Sequence, residues 1–244
     1  MLYGVFSDVH ANLEAFRMVL GFYEKNKVEH FVCCGDLVGY GPQPQECVER
    51  VMALKDFRAV LGNHDAAVTG RMDMRWFNPN ALAAIEFARK TLSGASLAFL
   101  AALPERLETP EFTMVHGSPR KPLTEYLLGE SQFLDNLKLW KVSPCFVGHT
   151  HMPAYFTQDA AGLPESDFLD PMRRMTVGAG RFMFNPGSVG QPRDNDTRAS
   201  CAIYDTGKKV FEVFRVPYDI EKTRLLLNEL KLPAILGERL TFGF

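Results

Sequence analysis

The sequence has little that would direct the protein to a membrane or to a nucleic acid. No apolar run in its 244 residues approaches the roughly 20 residues that a membrane-spanning helix needs. The net charge is −2, without a basic surplus or a long run of one sign, so no nucleic-acid polymer is expected as a partner. The first residues also lack the charged and apolar segments of a secretory signal. These absences predict a cytoplasmic protein without a membrane partner.

Cysteine is sparse and follows no metal-binding or redox pattern. The five cysteines form no CxxC pair; Cys33 and Cys34 are adjacent inside a predicted buried strand, and Cys145 lies in another. An odd number of buried thiols is typical of a reducing compartment. We therefore expect small apolar side chains here, the alternative being that Cys33 or Cys34 binds a metal.

Histidine is also scarce, but five of the six histidines lie in short polar blocks. The exception, His30, is interpreted as an ordinary surface or strand-edge residue. The blocks are Asp8-Val9-His10, Gly35-Asp36, Gly62-Asn63-His64-Asp65, His116-Gly117 and Gly148-His149-Thr150-His151. Imidazole, carboxylate and amide groups are ligands of borderline divalent metals. Five such blocks in the first two-thirds of the chain predict one metal centre.

Each block follows a short apolar run, rich in valine and phenylalanine, that is typical of a buried strand. Ligands of layered α/β sheets bind at the carboxyl ends of the strands, so the blocks are expected around one crevice. Apolar spacing predicts helices at 12–25, 45–54, 80–103 with a break at Ser93-Gly94, 130–140 and 220–230. Later strands are predicted at 154–156, 175–177, 182–184, 199–204 and 210–216. This order predicts an α/β fold, a four-layer αββα sandwich of two mixed β-sheets flanked by helices.

A single domain, 1–244, is predicted because no linker, repeat or low-complexity tract interrupts the chain. Two inserts break the alternation of strands and helices, a helical one at about 66–103 and a loop at about 158–180. Such inserts tend to form the rim of a site and to select its substrate. Trp76 and Phe77 in the first insert are interpreted either as a stacking surface for a base or aryl group or as anchors to the core.

The five blocks resemble the signature of the calcineurin-like metallophosphoesterase superfamily, D-x-H, G-D, G-N-H-D/E, H and G-H-x-H. The resemblance covers about residues 2–215 and implies the four-layer fold with a two-metal centre. It implies that Asp36 bridges both metals and that His64 sits beside the phosphate, next to Asp65. The other ligands would be Asp8, His10 and His151 for one metal and Asn63, His116 and His149 for the other.

Two further stretches, 35–42 and 185–193, resemble the small bacterial phosphoesterase branch of the superfamily. Some members of that branch are phosphodiesterases, and others cleave dinucleoside polyphosphates. Ser/Thr protein phosphatases carry G-D-x-V-D-R-G, whose arginine clamps phosphate, whereas Gly39-Tyr40-Gly41 stands in that place here. This difference favours a small substrate over a phosphoprotein.

The predicted substrate-binding residues are Asn63, His64 and Arg193. His64 has no metal to bind, and histidine suits general acid catalysis near pH 7. We expect it to protonate the leaving oxygen while Asp65 holds its ring; alternatively His64 only hydrogen-bonds the phosphate, and Asp65 caps a helix or loop. Arg193 is either a bidentate phosphate clamp or a solvated loop residue. The pair Arg120-Lys121 would meet an extended polyphosphate or lie in a solvated turn.

Together these features predict a binuclear-metal-dependent phosphoesterase that hydrolyses small phosphodiesters or nucleotides by attack of a hydroxide held between the metals. Two divalent transition-metal ions are required; Mn²⁺ is the first expectation, with Fe, Zn or Ni as alternatives, because the ligand types do not choose among them. The alternative functions are diadenosine tetraphosphate hydrolysis, Ser/Thr protein dephosphorylation and a non-catalytic scaffold on the same fold. No oligomeric state is predicted.

Overall fold

Two six-stranded β-sheets form the centre of the computed structural model, which describes residues 1–159 and 161–244. The strands are β1 (Leu2–Phe6), β2 (His30–Cys33), β3 (Phe57–Ala59), β4 (Arg106–Glu108), β5 (Thr113–Val115), β6 (Cys145–Phe146), β7 (Pro153–Gln158), β8 (Pro164–Phe168), β9 (Arg174–Thr176), β10 (Arg181–Pro186), β11 (Ala199–Asp205) and β12 (Val210–Val216). The helices are α1 (Leu13–Lys25), α2 (Pro44–Met52), α3 (Asn63–Val68), α4 (Pro79–Thr91), α5 (Gly94–Ala101), α6 (Glu130–Asn136), α7 (Ile220–Glu229) and α8 (Ala234–Phe242), with a 3₁₀ turn at Met74–Trp76.

Both sheets are mixed. In the first, ordered β3-β2-β1-β11-β12-β9, the parallel strands β1, β2 and β3 are linked through α1 and α2, and the other pairs are antiparallel. In the second, ordered β4-β5-β6-β10-β7-β8, β6 is parallel to both neighbours and the other pairs are antiparallel. The predicted sandwich of two mixed sheets flanked by helices is confirmed.

Alternation along β1 explains the layering. Tyr3 and Val5 pack into a core that includes residues of β6 and β10 from the second sheet. Phe6 belongs to the opposite face and packs with Phe16 of α1. A third core lies between the second sheet and α6, around Phe133. Burying one such side chain stabilises the fold by roughly 1.5–3 kcal/mol, so the apolar strand runs that predicted the sheets also hold the layers together.

The helices differ from the predictions mainly at their ends. Segment 80–103 forms two helices, because α4 ends at Thr91 and Ser93 caps α5, its Oγ accepting the Ser96 N–H at 3.1 Å. The helix predicted at 130–140 ends at Asn136, and α3 and α8 were not predicted. The longest helices, α1 and α4, have 13 residues each. Within residues 1–159 and 161–244, no helix combines the length and apolar character needed to cross a bilayer.

The segment 158–180, predicted as a loop insert, contains β8 and also β9, which corresponds to the strand predicted at 175–177; Ala160 within it lies outside the described residues. Strand β8 pairs with β7 of the second sheet, and β9 pairs with β12 of the first. The sequence of β8, Pro-Glu-Ser-Asp-Phe, lacks the apolar alternation of a half-buried strand because β8 is an edge strand without a fully buried residue. This polar edge explains why the sequence predicted a loop.

Candidate metal centre

The seven predicted metal ligands all follow the ends of strands, and the structure brings them together. The first sheet supplies four of them and the second sheet supplies three, and all seven are buried. They are Asp8 and His10 after β1, Asp36 after β2, Asn63 after β3, His116 after β5, and His149 and His151 after β6.

Asp8, His10 and His151 form the first cluster. The Nε2 atoms of the two histidines are 3.0 Å apart. Asp8 Oδ1 lies 3.3 Å from Nε2 of His151 and 3.7 Å from Nε2 of His10. Ligand atoms this close together can surround a single cation.

His116, Asn63 and His149 form the second cluster. Nε2 of His116 lies 2.9 Å from Asn63 Oδ1 and 3.1 Å from Nδ1 of His149. His149 thus presents Nδ1 to the cluster, whereas His10, His151 and His116 present Nε2.

Asp36 lies between the two clusters. Its Oδ2 is 3.5 Å from Nε2 of His10 and 3.4 Å from Nε2 of His116. Its other oxygen, Oδ1, accepts the backbone N–H of His64 at 2.9 Å. One carboxylate oxygen therefore faces both ligand sets, which is the position that the resemblance implied for a bridging aspartate.

The hydrogen bonds of the first cluster test whether a cation fits. Nδ1 of His10 is 3.1 Å from the carbonyl oxygen of Val38, and Nδ1 of His151 is 2.6 Å from that of Gln191. A carbonyl oxygen only accepts, so each Nδ1 carries the proton and each Nε2 keeps a lone pair. Two lone pairs then face each other, and the nearby Asp8 Oδ1 has no hydrogen-bond partner among the described residues. A divalent cation would satisfy all three atoms.

The second cluster meets the same test. Nδ1 of His116 donates to the carbonyl oxygen of Cys34 at 2.8 Å, which leaves a lone pair on Nε2. That lone pair faces the carbonyl oxygen of the Asn63 side chain. Backbone carbonyls that fix the tautomer and ring orientation are typical of metal-binding histidines.

Five of these ligands adopt a backbone conformation that is unfavourable for residues other than glycine. Residues held in the left-handed region cost about 1–3 kcal/mol each and cluster at functional sites. The φ angles are 54° at Asp8, 46° at His10, 54° at Asp36, 68° at His149 and 63° at His151. The surrounding fold therefore stores strain where the ligands converge.

Two glycines of the blocks allow this convergence. A Cβ atom on Gly62 would lie 2.0 Å from Asp36 Oδ1, so no side chain fits beside this carboxylate. Gly35 has a φ of +96°, and a Cβ there would lie 2.8 Å from Gly62 Cα. Glycine is therefore required at both positions, at Gly62 because the Asp36 carboxylate approaches closely and at Gly35 because the backbone φ is positive as well.

Burial controls the protonation of the centre when no cation is bound. It raises the pKa of Asp8 to about 7, and it raises the pKa of Asp36 well above its ordinary value, with the nearby Asp65 adding to the effect. Burial lowers the pKa of His10 and His151 well below the ordinary value, and lowers that of His149 to about 2. These three imidazoles are thus neutral and able to coordinate a cation.

His64 and Asp65 are neighbours in sequence, but their side chains have different surroundings. His64 is buried at the start of α3, and a ring nitrogen lies within 4.8 Å of ligand atoms of His10 and Asp36. The carboxylate of Asp65 does not hold that ring: it accepts the backbone N–H groups of Gly62, Leu37 and Val38 at 3.1–3.3 Å.

The alternative interpretation of Asp65 as a capping residue therefore agrees with these contacts. The ring of His64 lies instead among Tyr40, Phe77 and His10, with centroids 4.5, 5.0 and 4.9 Å away. Burial, followed by the cationic Arg193, lowers the pKa of His64, opposite to the rise expected from an aspartate partner.

Arg193 lines the cleft above the metal centre together with Asp36, His64 and His149. Its guanidinium carbon is 5.7 Å from the centroid of the Tyr40 ring, and Nη2 donates to Gln191 Oε1 at 2.9 Å. The side chain is thus held at the site, in contrast to the solvated loop residue that was the alternative.

Several other residues singled out in the sequence lie outside the centre. Arg120 donates to Glu125 and, at 2.9 Å, to Asp135, so it is an anchor of its own loop. His30 begins β2 and pairs with Asp56. The five cysteines are buried free thiols, and none belongs to the converging groups of the described chain.

The cleft also contains aromatic residues that sequence reasoning missed. Tyr126 stacks on the ring of His149, with centroids 3.9 Å apart and an interplanar angle of 20°. Tyr40 contacts His10 and His64. The block Gly39-Tyr40-Gly41 carried a signal for Tyr40, whereas the loop before Tyr126 carried none. The cleft has a volume of about 160 Å³.

Comparison with known proteins agrees with this geometry. A family model described as "Calcineurin-like phosphoesterase superfamily domain" matches residues 1–209. The chain belongs to this superfamily. An uncharacterised protein of Methanocaldococcus jannaschii, MJ0912, is 35% identical over 246 residues, covering 98% of this chain and 97% of the relative.

Two solved structures show the same fold. A metallophosphoesterase from Sphaerobacter thermophilus is similar with a TM-score of 0.90 and 38% identity, over 100% of this chain and 99% of that one. Hypothetical protein PH1004 from Pyrococcus horikoshii OT3 has a TM-score of 0.82 at 19% identity, over 100% and 98% of the two chains. At that lower identity the likeness concerns the fold alone.

Proposed function

We propose that the protein is a binuclear-metal-dependent phosphoesterase that hydrolyses small phosphodiesters or nucleotides. The observation that carries this proposal is the position of Asp36 Oδ2, 3.4–3.5 Å from a ligand nitrogen of each cluster. A single carboxylate can neutralise two adjacent cations only from such a position. Membership in the superfamily and the neutral, convergent imidazoles support the same conclusion.

The charge of the chain's own ligands favours an anionic substrate. Divalent cations bound there would act as Lewis acids on the phosphoryl group and on the attacking water. Asp8 and Asp36 are the only carboxylates among the seven ligands, and the imidazoles and the Asn63 amide add no charge. Two carboxylates offset half of the charge of two divalent cations, so the centre keeps a positive charge that attracts phosphate.

The residues that touch the substrate in this proposal are His64, Asn63 and Arg193. Arg193 lines the cleft and would bind phosphoryl oxygens that point away from the metals. His64 would donate a proton to the leaving oxygen. Burial is the main cause of the low pKa of His64, followed by the positive charge of Arg193; a bound phosphate anion would offset the contribution of Arg193 and so favour the protonated ring.

The size of the cleft favours a small substrate. Its volume of about 160 Å³ suits one phosphoryl group with one attached ring better than a folded phosphoprotein. Diadenosine tetraphosphate hydrolysis stays the nearest alternative. The complete ligand set argues against a non-catalytic scaffold.

The test is a substrate panel with metal-stripped protein reloaded with Mn²⁺, Fe²⁺, Zn²⁺ or Ni²⁺. The panel contains an aryl phosphodiester, an aryl phosphomonoester, nucleotides, diadenosine tetraphosphate and a phosphopeptide. We expect turnover of the diester or nucleotide, strongest with Mn²⁺, and loss of activity after chelation. Undiminished activity after chelation, or turnover of the phosphopeptide alone, would contradict the proposal.

A further inference from the structure

Two exposed aromatic side chains lie in the cleft without a part in the metal chemistry. Trp76 is 73% exposed and Tyr126 is 45% exposed, yet both line the same cleft as Asp36 and His64. They come from separate segments, the 3₁₀ turn before α4 and the loop between β5 and α6. Single exposed aromatics are common on protein surfaces, but two beside one catalytic centre need an explanation.

Tyr126 is oriented by the metal centre itself. Its ring lies parallel to the ring of His149, with 3.9 Å between centroids. The loop that carries it is held by buried contacts: Glu125 accepts hydrogen bonds from Ser118 and Arg120, and from Asn136 at 3.3 Å. The phenol ring is therefore a preorganised surface beside a ligand.

Trp76 is presented by a locally fixed turn. The Asp73 carboxylate caps this turn, accepting the Arg75 N–H at 2.9 Å. The next residue, Phe77, packs on the ring of His64 with centroids 5.0 Å apart and joins the main core. Of the two aromatic neighbours, Phe77 thus anchors the insert, while the indole of Trp76 stays accessible.

The other walls of the cleft combine apolar and polar side chains. Met72, Ala81 and Leu123 are apolar. The side-chain oxygen of Asn78 is occupied, because it caps α4 by accepting two backbone N–H groups at 3.1 Å. Thr124 is a further polar residue of this lining, and a ligand ring bound against the two exposed aromatics would be recognised by its flat face.

We propose that Trp76 and Tyr126 form a stacking subsite for a planar ring attached to the phosphate, a nucleobase or an aryl group. The subsite rests on the proposed function and narrows its substrate class. It accepts purines, pyrimidines and aryl groups and selects against alkyl phosphates. Stacking on an aromatic side chain strengthens binding of a base by on the order of 5- to 100-fold.

The first experiment measures binding of the base through the fluorescence of Trp76. The chain has two tryptophans, and because Trp140 is 1% exposed, the solvent-shifted emission belongs to Trp76. Adenosine monophosphate added to the metal-loaded protein should quench that emission, and ribose 5-phosphate should not. Absence of quenching at saturating adenosine monophosphate would overturn the subsite.

The second experiment compares inhibition constants for the same two probes, which share a phosphate and differ by the base. In the wild type, adenosine monophosphate should inhibit ester hydrolysis on the order of 5- to 100-fold better than ribose 5-phosphate. Trp76→Leu and Tyr126→Leu should each reduce this ratio, whereas Tyr126→Phe, which keeps the ring, should preserve it. Phe242→Leu removes a 59% exposed aromatic outside the cleft and serves as the matched control.

The two proposals fail in different ways. Quenching of Trp76 in a protein that hydrolyses no ester would refute the phosphoesterase function and leave the subsite standing. Hydrolysis with equal inhibition by both probes, unchanged in Trp76→Leu and Tyr126→Leu, would refute the subsite alone. Elemental analysis of Tyr126→Leu separates lost stacking from lost metal, because Tyr126 contacts His149.

Discussion

Replacing Asp36, the proposed bridging aspartate, by asparagine (Asp36→Asn) should abolish the stabilisation of the protein by metal. In the wild type, Oδ1 accepts the His64 N–H at 2.9 Å while Oδ2 faces both clusters. The amide of the variant has one oxygen for these two roles. Either its NH₂ group faces the His64 N–H, donor against donor, or it faces the metal positions in place of an anionic oxygen. Both orientations should abolish binding of the metal pair.

The magnitude follows from ligand linkage. A metal present at 100 times its Kd stabilises the folded wild type by about 2.7 kcal/mol per site. For a domain of this size each 1 kcal/mol raises Tm by about 2–4 °C, so the wild type should gain roughly 5–11 °C per site. Asp36→Asn should gain almost nothing. Asp170→Asn, an exposed control, should behave like the wild type.

Without metal, the order of the two melting temperatures should be the opposite, with the wild type no more stable than Asp36→Asn. Burial raises the pKa of Asp36, so between its ordinary and its folded pKa the folded chain binds an extra proton, and stability falls as pH rises. The amide carries no such penalty, and metal-free Asp36→Asn should melt at or above the temperature of the metal-free wild type at pH 8. Thermal unfolding of both proteins in chelator and in Mn²⁺ measures their melting temperatures without and with metal. Equal metal-dependent shifts in variant and wild type would refute the bridging assignment.

Three further changes test neighbouring parts of the centre. His64→Ala should keep its metal by elemental analysis and lose on the order of 10²–10⁴ in kcat, most for poor leaving groups; equal losses for good and poor ones would contradict proton donation. Gly62→Ala places a Cβ 2.0 Å from the bridging carboxylate and should weaken metal binding at least about tenfold by calorimetry, whereas Gly21→Ala, with open space around it, should not. Burial raises the pKa of Glu125, but hydrogen bonds from its neighbours outweigh burial and lower the pKa below 4.5. The ionised carboxylate therefore stabilises the folded state above pH 4.5, and this contribution is lost as the pH falls through the pKa of the folded protein. The free energy of unfolding measured in urea should therefore be lower for Glu125→Gln than for the wild type at neutral pH, and the two values should converge only at acid pH. A difference that stays constant down to pH 3 would refute this.

The positions of the ligands could be predicted because each block is local in sequence and follows a strand. A buried apolar strand ending in histidine or aspartate leaves few places for the polar group except the strand-end crevice. Asp8, Asp36 and His116 therefore converge as the strand pattern predicts. The contacts of Asp65 were harder to predict. Whether its carboxylate contacts the His64 ring or backbone amides depends on the geometry of the first turn of α3, and the sequence of this six-residue helix does not specify that geometry.

The features that escaped prediction depend on tertiary contacts. Tyr126 lies in an irregular loop, and its stacking on His149 follows from how that loop packs against the second sheet. Strand β8 is polar and exposed, so its pairing with β7 leaves no apolar pattern in the sequence. Helix α8 contains Gly237 in its interior, and this glycine packs against Arg224 and Leu227 of α7, which offsets its poor helix propensity.

Each proposed metal takes ligands from both sheets, and this arrangement couples the chemistry to the relative sliding of the two sheets. Asp8 and His10 move with the first sheet, whereas His116 and His151 move with the second. A small displacement of one sheet along the other would change the separation of the cations. The segment that contributes β8 to one sheet and β9 to the other restrains such shear through the covalent chain. Through this link, the segment would act as a spacer that keeps the separation of the two proposed cations constant.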